Sequence, residues 1–325
     1  MKRKYDIDAL TLQYGFSAKE IEKVCRISDL LEDISAVKFL SDRLSLYGGT
    51  ALTFIYSPEI LRLSIDLDFN YRHIDNADWG KIRKEIDRRL KDLIYRQEYK
   101  QADIAINASY PLTRFTVRYV NAKGSEDNFK IEIGYLRRTP ILKADISADF
   151  RHVGTQETFK TTTPMKEELF ANKWCTLIYR TTPRDLFDTY QITKMKFDHN
   201  VFRKCAIIDS LTHEKPRMHK INPELVAQIP IDSSLRNLLQ TEKLSQYNFA
   251  KITKEVQKFT KAHLASMKNN EIKAVDKFYD KKIFKPNMID NTGLFHERIA
   301  KYPAVLWALQ QVKEREKRKL SFSGN

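Results

Sequence analysis

Glycine and proline are scarce in this chain, at 9 and 10 of 325 residues. That scarcity excludes collagen-like and turn-rich β architectures and favours long helices. Cysteine is scarcer: Cys25, Cys175 and Cys205 are far apart and odd in number. There is no Cys-x-x-Cys and no His/Cys group at zinc-ligand spacing, which argues against a disulfide framework and a structural zinc site. Each cysteine has apolar neighbours and reads as a small core residue. No apolar run approaches the length of a membrane span. The first residues, Met-Lys-Arg-Lys-Tyr-Asp, hold no apolar core of a secretory signal. The expectation is a cytoplasmic protein with no membrane partner. Negative charge is the last deficit: 42 Asp+Glu face 57 Lys+Arg, a net charge of +15. Such an excess points to an anionic partner, nucleic acid first; a merely basic surface would give the same number.

What is present is a chain with 42% hydrophobic and 11% aromatic residues. It can bury a core in one large or two ordinary domains. Its most informative stretch is Leu46-Tyr-Gly48-Gly49-Thr50-Ala-Leu52 followed by Arg62-Leu-Ser64-Ile-Asp66-Leu-Asp68-Phe69. Leu44 to Tyr47 reads as a short strand running into the diglycine. Thr50 is the expected N-cap of a helix to about Tyr56, stopped by Pro58. A strand that ends in a glycine turn at a helix N-terminus presents unpaired N–H groups, an arrangement receptive to phosphate. Ile65, Leu67 and Phe69 alternate with Asp66 and Asp68, the period of a strand with one buried face. Both carboxylates then emerge on one side and repel each other unless a cation lies between them. Oxygen ligands of this kind suit Mg²⁺. Ser64 shares their face, and Arg62 does if the strand starts early. Arg62 there can hold a phosphate or steady Asp66; a plain surface charge is the other reading.

The order Gly-Gly-Thr, short helix, then Asp-x-Asp on a strand resembles the DNA polymerase β-like nucleotidyltransferase superfamily. The fuller string, with Arg62-x-Ser64-x-Asp66-Leu67-Asp68-Phe69, resembles more narrowly the AbiEii-type nucleotidyltransferases, toxins of abortive-infection systems. A second string, Lys173…Arg180-x-x-x-Arg184-Asp185-x-x-Asp188, is similar to the second signature of that family and lies a hundred residues downstream. The resemblance implies an α/β (α+β) fold with a mixed sheet, flanking helices and a mainly helical C-terminal region. It also implies that Lys173 and Asp185 belong to the active site and that a third carboxylate can stand on a strand beside the Asp-x-Asp strand. Glu132 is the obvious occupant; an exposed Lys/Glu alternation is the competing reading. The implied activity is transfer of a nucleoside monophosphate from an NTP to an acceptor hydroxyl with two Mg²⁺ ions. The implied acceptor is a tRNA 3′ end, and the implied partner an antitoxin. Transfer to a protein or small molecule, and a non-catalytic NTP- or RNA-binding protein on the same fold, are the alternatives.

The rest of the chain is read from pattern. Ser17 to Glu20 forms a capping box opening a helix to about Ile34. Asp75 to Trp79 opens another, with an apolar stripe and basic outer faces. Residues 113–120 and 129–134 alternate as a β-hairpin, with Ile131 and Ile133 on one face and Lys130 and Glu132 on the other. From Thr163, read as an N-cap with Pro164 at the first helical position, the chain turns helical. A second helix start follows at Thr182-Pro183. Lys173 falls on an otherwise apolar face, where a lysine must be paired or functional. Arg184-Asp185 reads alternatively as a helix-start ion pair. Residues 241–325 hold 18 Lys+Arg against 9 Asp+Glu with interleaved aromatics. That region can cradle an RNA backbone or form a bundle with charged outer faces; its tail, 313–319, reads as a solvated helix end. The expected division is an N-terminal helical segment over 1–40, a nucleotidyltransferase domain over 41–163, and a helical region over 164–325. The expected nucleotide-binding set is Gly48, Gly49, Thr50, Arg62 and Ser64. Asp66 and Asp68 are the expected metal ligands, with Lys173, Asp185 and Glu132 completing the catalytic set.

Overall fold

A computed structural model describes residues 3–213 and 216–322. Side chains 315–322 lie outside the described residues, and with them most of the solvated face expected for 313–319. The chain divides into two units, each discontinuous in sequence. The first comprises Met1–Tyr135, Asp145–Pro164 and Asp232–Tyr247; the second comprises Leu136–Ala144, Met165–Ile231 and Asn248–Asn325. The first unit's second segment ends at Pro164, and the unit also takes in a segment from far downstream.

Period-2 alternation builds the first unit's sheet. Its strands are β1 (Leu44–Tyr47), β2 (Asp66–Tyr71), β3 (Ile104–Asn107), β4 (Leu112–Val120) and β5 (Glu126–Gly134). They are ordered β1-β2-β5-β4-β3. The β2–β5 pair is parallel and all the other pairs are antiparallel, so the sheet is mixed. Leu67, Phe69, Phe115, Val117, Ile131 and Ile133 are all buried on one face. Two helices, α2 (Ala18–Ala36) and α5 (Trp79–Arg96), cover that face. Lys23 of α2 pairs with Asp127 at 2.9 Å, and the Arg26 guanidinium stacks 3.9 Å from the centre of the Tyr119 ring. Arg83 of α5 donates to Thr113 Oγ1 at 3.1 Å. Both helices begin at side-chain caps, Ser17 and Asp78, as the sequence pattern predicts. Before and after α2 lie α1 (Ile7–Tyr14) and the single turn α3 (Lys38–Ser41).

A second antiparallel pair, β6 (Ile146–Arg151) and β7 (Thr158–Thr163), has no counterpart in the sequence pattern. Thr163 is its last residue and donates from its hydroxyl to the Leu46 carbonyl. The expected helix cap at Thr163 is therefore incorrect: helix α6 (Lys166–Arg180) starts later, after Met165, because Thr163 is committed to the strand. Arg151 donates to the carbonyls of Thr53, Phe54, Ser57 and Pro58, filling acceptors in and just after the helical turn over Leu52–Tyr56.

The second unit is helical. After α6 come α7 (Pro183–Thr193), α8 (His199–Ser210), α10 (Phe249–Ala265), α11 (Asn269–Lys281) and α12 (Pro303–Phe322). One turn, α9 (Ser233–Arg236), belongs instead to the segment reclaimed by the first unit. Trp174 is fully buried among Phe202, Phe259 and His263, and its indole N–H donates to Thr260 Oγ1 at 3.1 Å. All three cysteines are buried. Burial pushes the Cys25 thiol up to about 12 and holds Cys175 and Cys205 well above the ordinary thiol range.

Candidate active site

The diglycine lies where β1 ends. Gly48 has φ +72°, a left-handed conformation open to glycine. A Cβ there would also meet Asp68 Oδ2 well inside contact distance and Asp68 Cβ and Cγ at 3.1 Å. At Gly49 a Cβ would lie 2.6 Å from Arg62 Nη2 and 2.8 Å from Ser64 Oγ. The two glycines are thus the condition for Asp68, Arg62 and Ser64 to close on the turn.

The helix after the turn is α4 (Gly48–Ala51), continued by a wider π turn over Leu52–Tyr56. It begins two residues before the expected cap, so Thr50 is inside it rather than at its start. The reason is visible in the bonds of Thr50. Its fully buried hydroxyl donates to the Asp66 carbonyl at 2.5 Å and lies 3.0 Å from Ser64 Oγ. Thr50 thus ties the helix to the first residue of β2.

Asp66 and Asp68 alternate on β2, each half-buried, with Leu67 buried between them. Register aligns Tyr47 with Asp68 on one side and Glu132 with Asp68 on the other. Asp66 is aligned with Lys130. Paired residues of neighbouring strands share a face, so Asp66, Asp68 and Glu132 stand together on the face opposite the helices. Glu132 accepts from Arg114 Nε at 2.6 Å. Asn70 continues the same period; it is buried, opposite Ser45 and Gly134. That extension of the period to a third polar residue is readable in the sequence and marks Asn70 as part of the polar face. Arg62 precedes β2 proper. It is 3% exposed and bridges in antiparallel fashion to Leu239 of the reclaimed segment, while Leu63 N–H donates to the Leu238 carbonyl at 2.8 Å.

Three oxygen-bearing side chains on adjacent strand positions form a donor set of the kind that hard divalent cations take. Among the described residues, the one group of three such ligands whose atoms all lie within 4.8 Å of one another is Asp29, Glu32 and His152; Asp66, Asp68 and Glu132 share a face without converging to that distance. Protein partners engage Asp29 Oδ1, Glu32 and His152, whereas Asp29 Oδ2 is buried without a hydrogen-bond partner. His152 Nδ1 accepts from the Gly154 and Thr155 N–H groups, which places the ring proton on Nε2, 3.2 Å from Asp29 Oδ1. Tyr5 and Arg3 donate to the same oxygen at 2.6 and 3.0 Å.

Lys173 and Asp185 belong to the second unit, on α6 and α7. Lys173 is 7% exposed; its Nζ lies 2.6 Å from Asp188 Oδ2 and 3.8 Å from Asp185 Oδ1. The near partner is thus Asp188, one helical turn beyond the expected residue. Asp185 accepts a two-pronged bond from Arg180 at 3.0 and 3.0 Å, and the Thr182 hydroxyl donates to it at 2.5 Å. The ion pair at this helix start is made by Arg180, because Arg180 ends α6 just before the turn into α7. Thr182 and Pro183 start α7 as the sequence predicts.

Comparison with known families decides the class. Residues 29–281 match the family described as nucleotidyl transferase AbiEii toxin of a type IV toxin–antitoxin system. The chain belongs to the AbiEii family. This AbiEii-family protein is also similar in structure to MenT4, a nucleotidyltransferase toxin from Mycobacterium tuberculosis H37Rv. The TM-score is 0.63 at 16% identity, over 87% of this chain and 96% of that one. At that identity the likeness speaks for the fold alone. No curated protein matches the sequence. Both motif strings that carry the resemblance fall inside the matched region, and the mixed sheet with flanking helices is the expected fold class. The protein is a nucleotidyltransferase of the AbiEii toxin type, with an NTP as substrate and an antitoxin as partner implied by the family. No described helix is long and apolar enough to cross a membrane.

Proposed function

We propose that this AbiEii-family protein transfers a nucleoside monophosphate from an NTP to the 3′ hydroxyl of an RNA, with tRNA as the acceptor, as a cytoplasmic toxin held in check by its antitoxin. The observation that carries the reading is the closure of Asp68 on Gly48, with Asp66 and Glu132 on the same face. In the reaction the acceptor oxygen bonds to the α-phosphorus, the α–β phosphoanhydride bond breaks, and pyrophosphate leaves with the electron pair.

Asp66 and Asp68 would hold two Mg²⁺ ions, with Glu132 as a third ligand or base. Bound there, the ions would supply activation of the acceptor oxygen and stabilisation of the leaving pyrophosphate. Backbone N–H groups of Gly49 and Thr50 are suited to the β- and γ-phosphates, because the turn leaves them without helical partners. Arg62, next to Gly49, adds a cation that can bind phosphate through two N–H groups. Lys173 is assigned to compensating charge on the phosphate oxygens, and Asp185 to positioning it or the acceptor.

The test incubates the protein with labelled NTPs, Mg²⁺ and total tRNA. Wild type is expected to label RNA, and Asp66→Ala and Lys173→Ala to abolish labelling. Equal labelling by wild type and Asp66→Ala would remove the catalytic assignment. Label arriving on a protein or small molecule would replace the acceptor.

A further inference from the structure

The polar face of the sheet does not stop at the carboxylates. On β5 it continues as Lys130 and Asn128, and on β4 as Arg114, Thr116 and Arg118. Lys130, Asn128, Arg114 and Arg118 are all exposed, in contrast to the buried opposite face. Register orders them: Thr116 and Lys130 extend the row of Asp66, and Arg114 and Glu132 extend the row of Asp68. Arg118 lies opposite Asn128, one step further along. With strands about 4.8 Å apart and about 6.8 Å between alternate residues, Arg118 stands about 12 Å from Asp66. Among the described residues neither Lys130 nor Arg118 forms an ion pair. Arg114 bonds to Glu132 through Nε, and its side chain is 44% exposed. Besides the reactive set, Glu126 stands on this face at the far end opposite Val120, and Glu98 and Asp103 line the same hollow as Arg118 and Asn128.

The diglycine turn closes on Asp68 from the β1 side. The triphosphate therefore belongs to that side, and the β5–β4 side of the acid pair is left for the second substrate. We propose that this open face is the track on which the acceptor RNA strand lies, its phosphates contacted by Lys130, Arg118 and the terminal nitrogens of Arg114. The inference rests on the nucleotidyl-transfer reading above and adds where the acceptor binds. Charge complementarity selects a phosphodiester backbone. Among the described residues these rows offer no exposed aromatic platform, so binding there is insensitive to base sequence and steeply dependent on salt.

The experiment measures equilibrium binding of a short labelled single-stranded RNA to the full chain across a salt series. Each phosphate contact in a single strand contributes about 0.7 to the slope of log affinity against log salt. The double variant Arg118→Gln/Lys130→Gln is expected to lower that slope by about 1.4. Lys81→Gln removes an exposed lysine from α5, on the opposite side of the sheet, and is expected to leave the slope as it is. Thermal unfolding of each variant checks that the fold is retained. An unchanged slope in the double variant overturns the track, as does an equal drop in Lys81→Gln. RNA labelling by wild type, run in parallel, separates the two claims. Its absence removes the acceptor assignment, whereas labelling with an unchanged slope removes only the track.

Discussion

Replacing Gly48 by alanine separates backbone strain from damage to the site. At φ +72° an L-residue costs about 1–2 kcal/mol relative to glycine. Gly124, in the β4–β5 turn, has φ +79° and nothing within 4 Å of where a Cβ would stand, so alanine there carries the same backbone cost and no clash. Both variants should therefore lose about 1–2 kcal/mol, a fall of about 2–8 °C in Tm for a unit of this size. Only Gly48→Ala also drives a methyl into the Asp68 carboxylate. A displacement of about 1 Å at a reacting centre lowers the rate by about 10²-fold. Transfer of labelled nucleotide, measured beside thermal unfolding, should show Gly124→Ala near wild-type activity and Gly48→Ala down by two orders of magnitude at similar stability. Wild-type turnover in Gly48→Ala, or an equal loss in Gly124→Ala, would refute the reasoning.

Asp188→Ala leaves the buried Lys173 ammonium without its near partner and should destabilise the second unit by about 3–5 kcal/mol, read from urea unfolding. His263 is held down to about 4 by burial, with His199 and Arg203 adding to the effect. The folded state thus binds fewer protons than the unfolded one below pH 6.5. Its contribution is complete above pH 6.5 and falls by about 1.4 kcal/mol per pH unit toward pH 4. His263→Leu should flatten that limb of the stability–pH profile. Iodoacetamide should not alkylate the native protein at neutral pH, because all three thiols are buried and held protonated; rapid labelling before unfolding would contradict the packing.

The acid strand was legible because one face of β2 is buried and the other is not, which writes its period directly into Ile65 to Phe69. The helix starts at Ser17, Asp78 and Thr182 were legible because a short polar side chain there bonds its own helix. Thr50 and Thr163 have the same composition signal, but each spends its hydroxyl on a distant carbonyl, of Asp66 and of Leu46. Such a choice is tertiary and leaves no local trace. Strands β6 and β7 were illegible for a related reason: Thr158 to Thr163 offers little apolar alternation, and its pairing is with a separate segment across an intervening loop. The preference of Lys173 for Asp188 over Asp185 depends on how α6 and α7 cross, which spacing along one helix does not encode.

The backbone partner of Leu63 comes from Leu238, and Thr241 N–H reaches back to the Gly15 carbonyl. A ribosome making this chain must therefore pass residue 241 before the segment feeding the acid strand has its full set of bonds. For a member of a toxin family, prematurely terminated translation would leave fragments that lack those bonds.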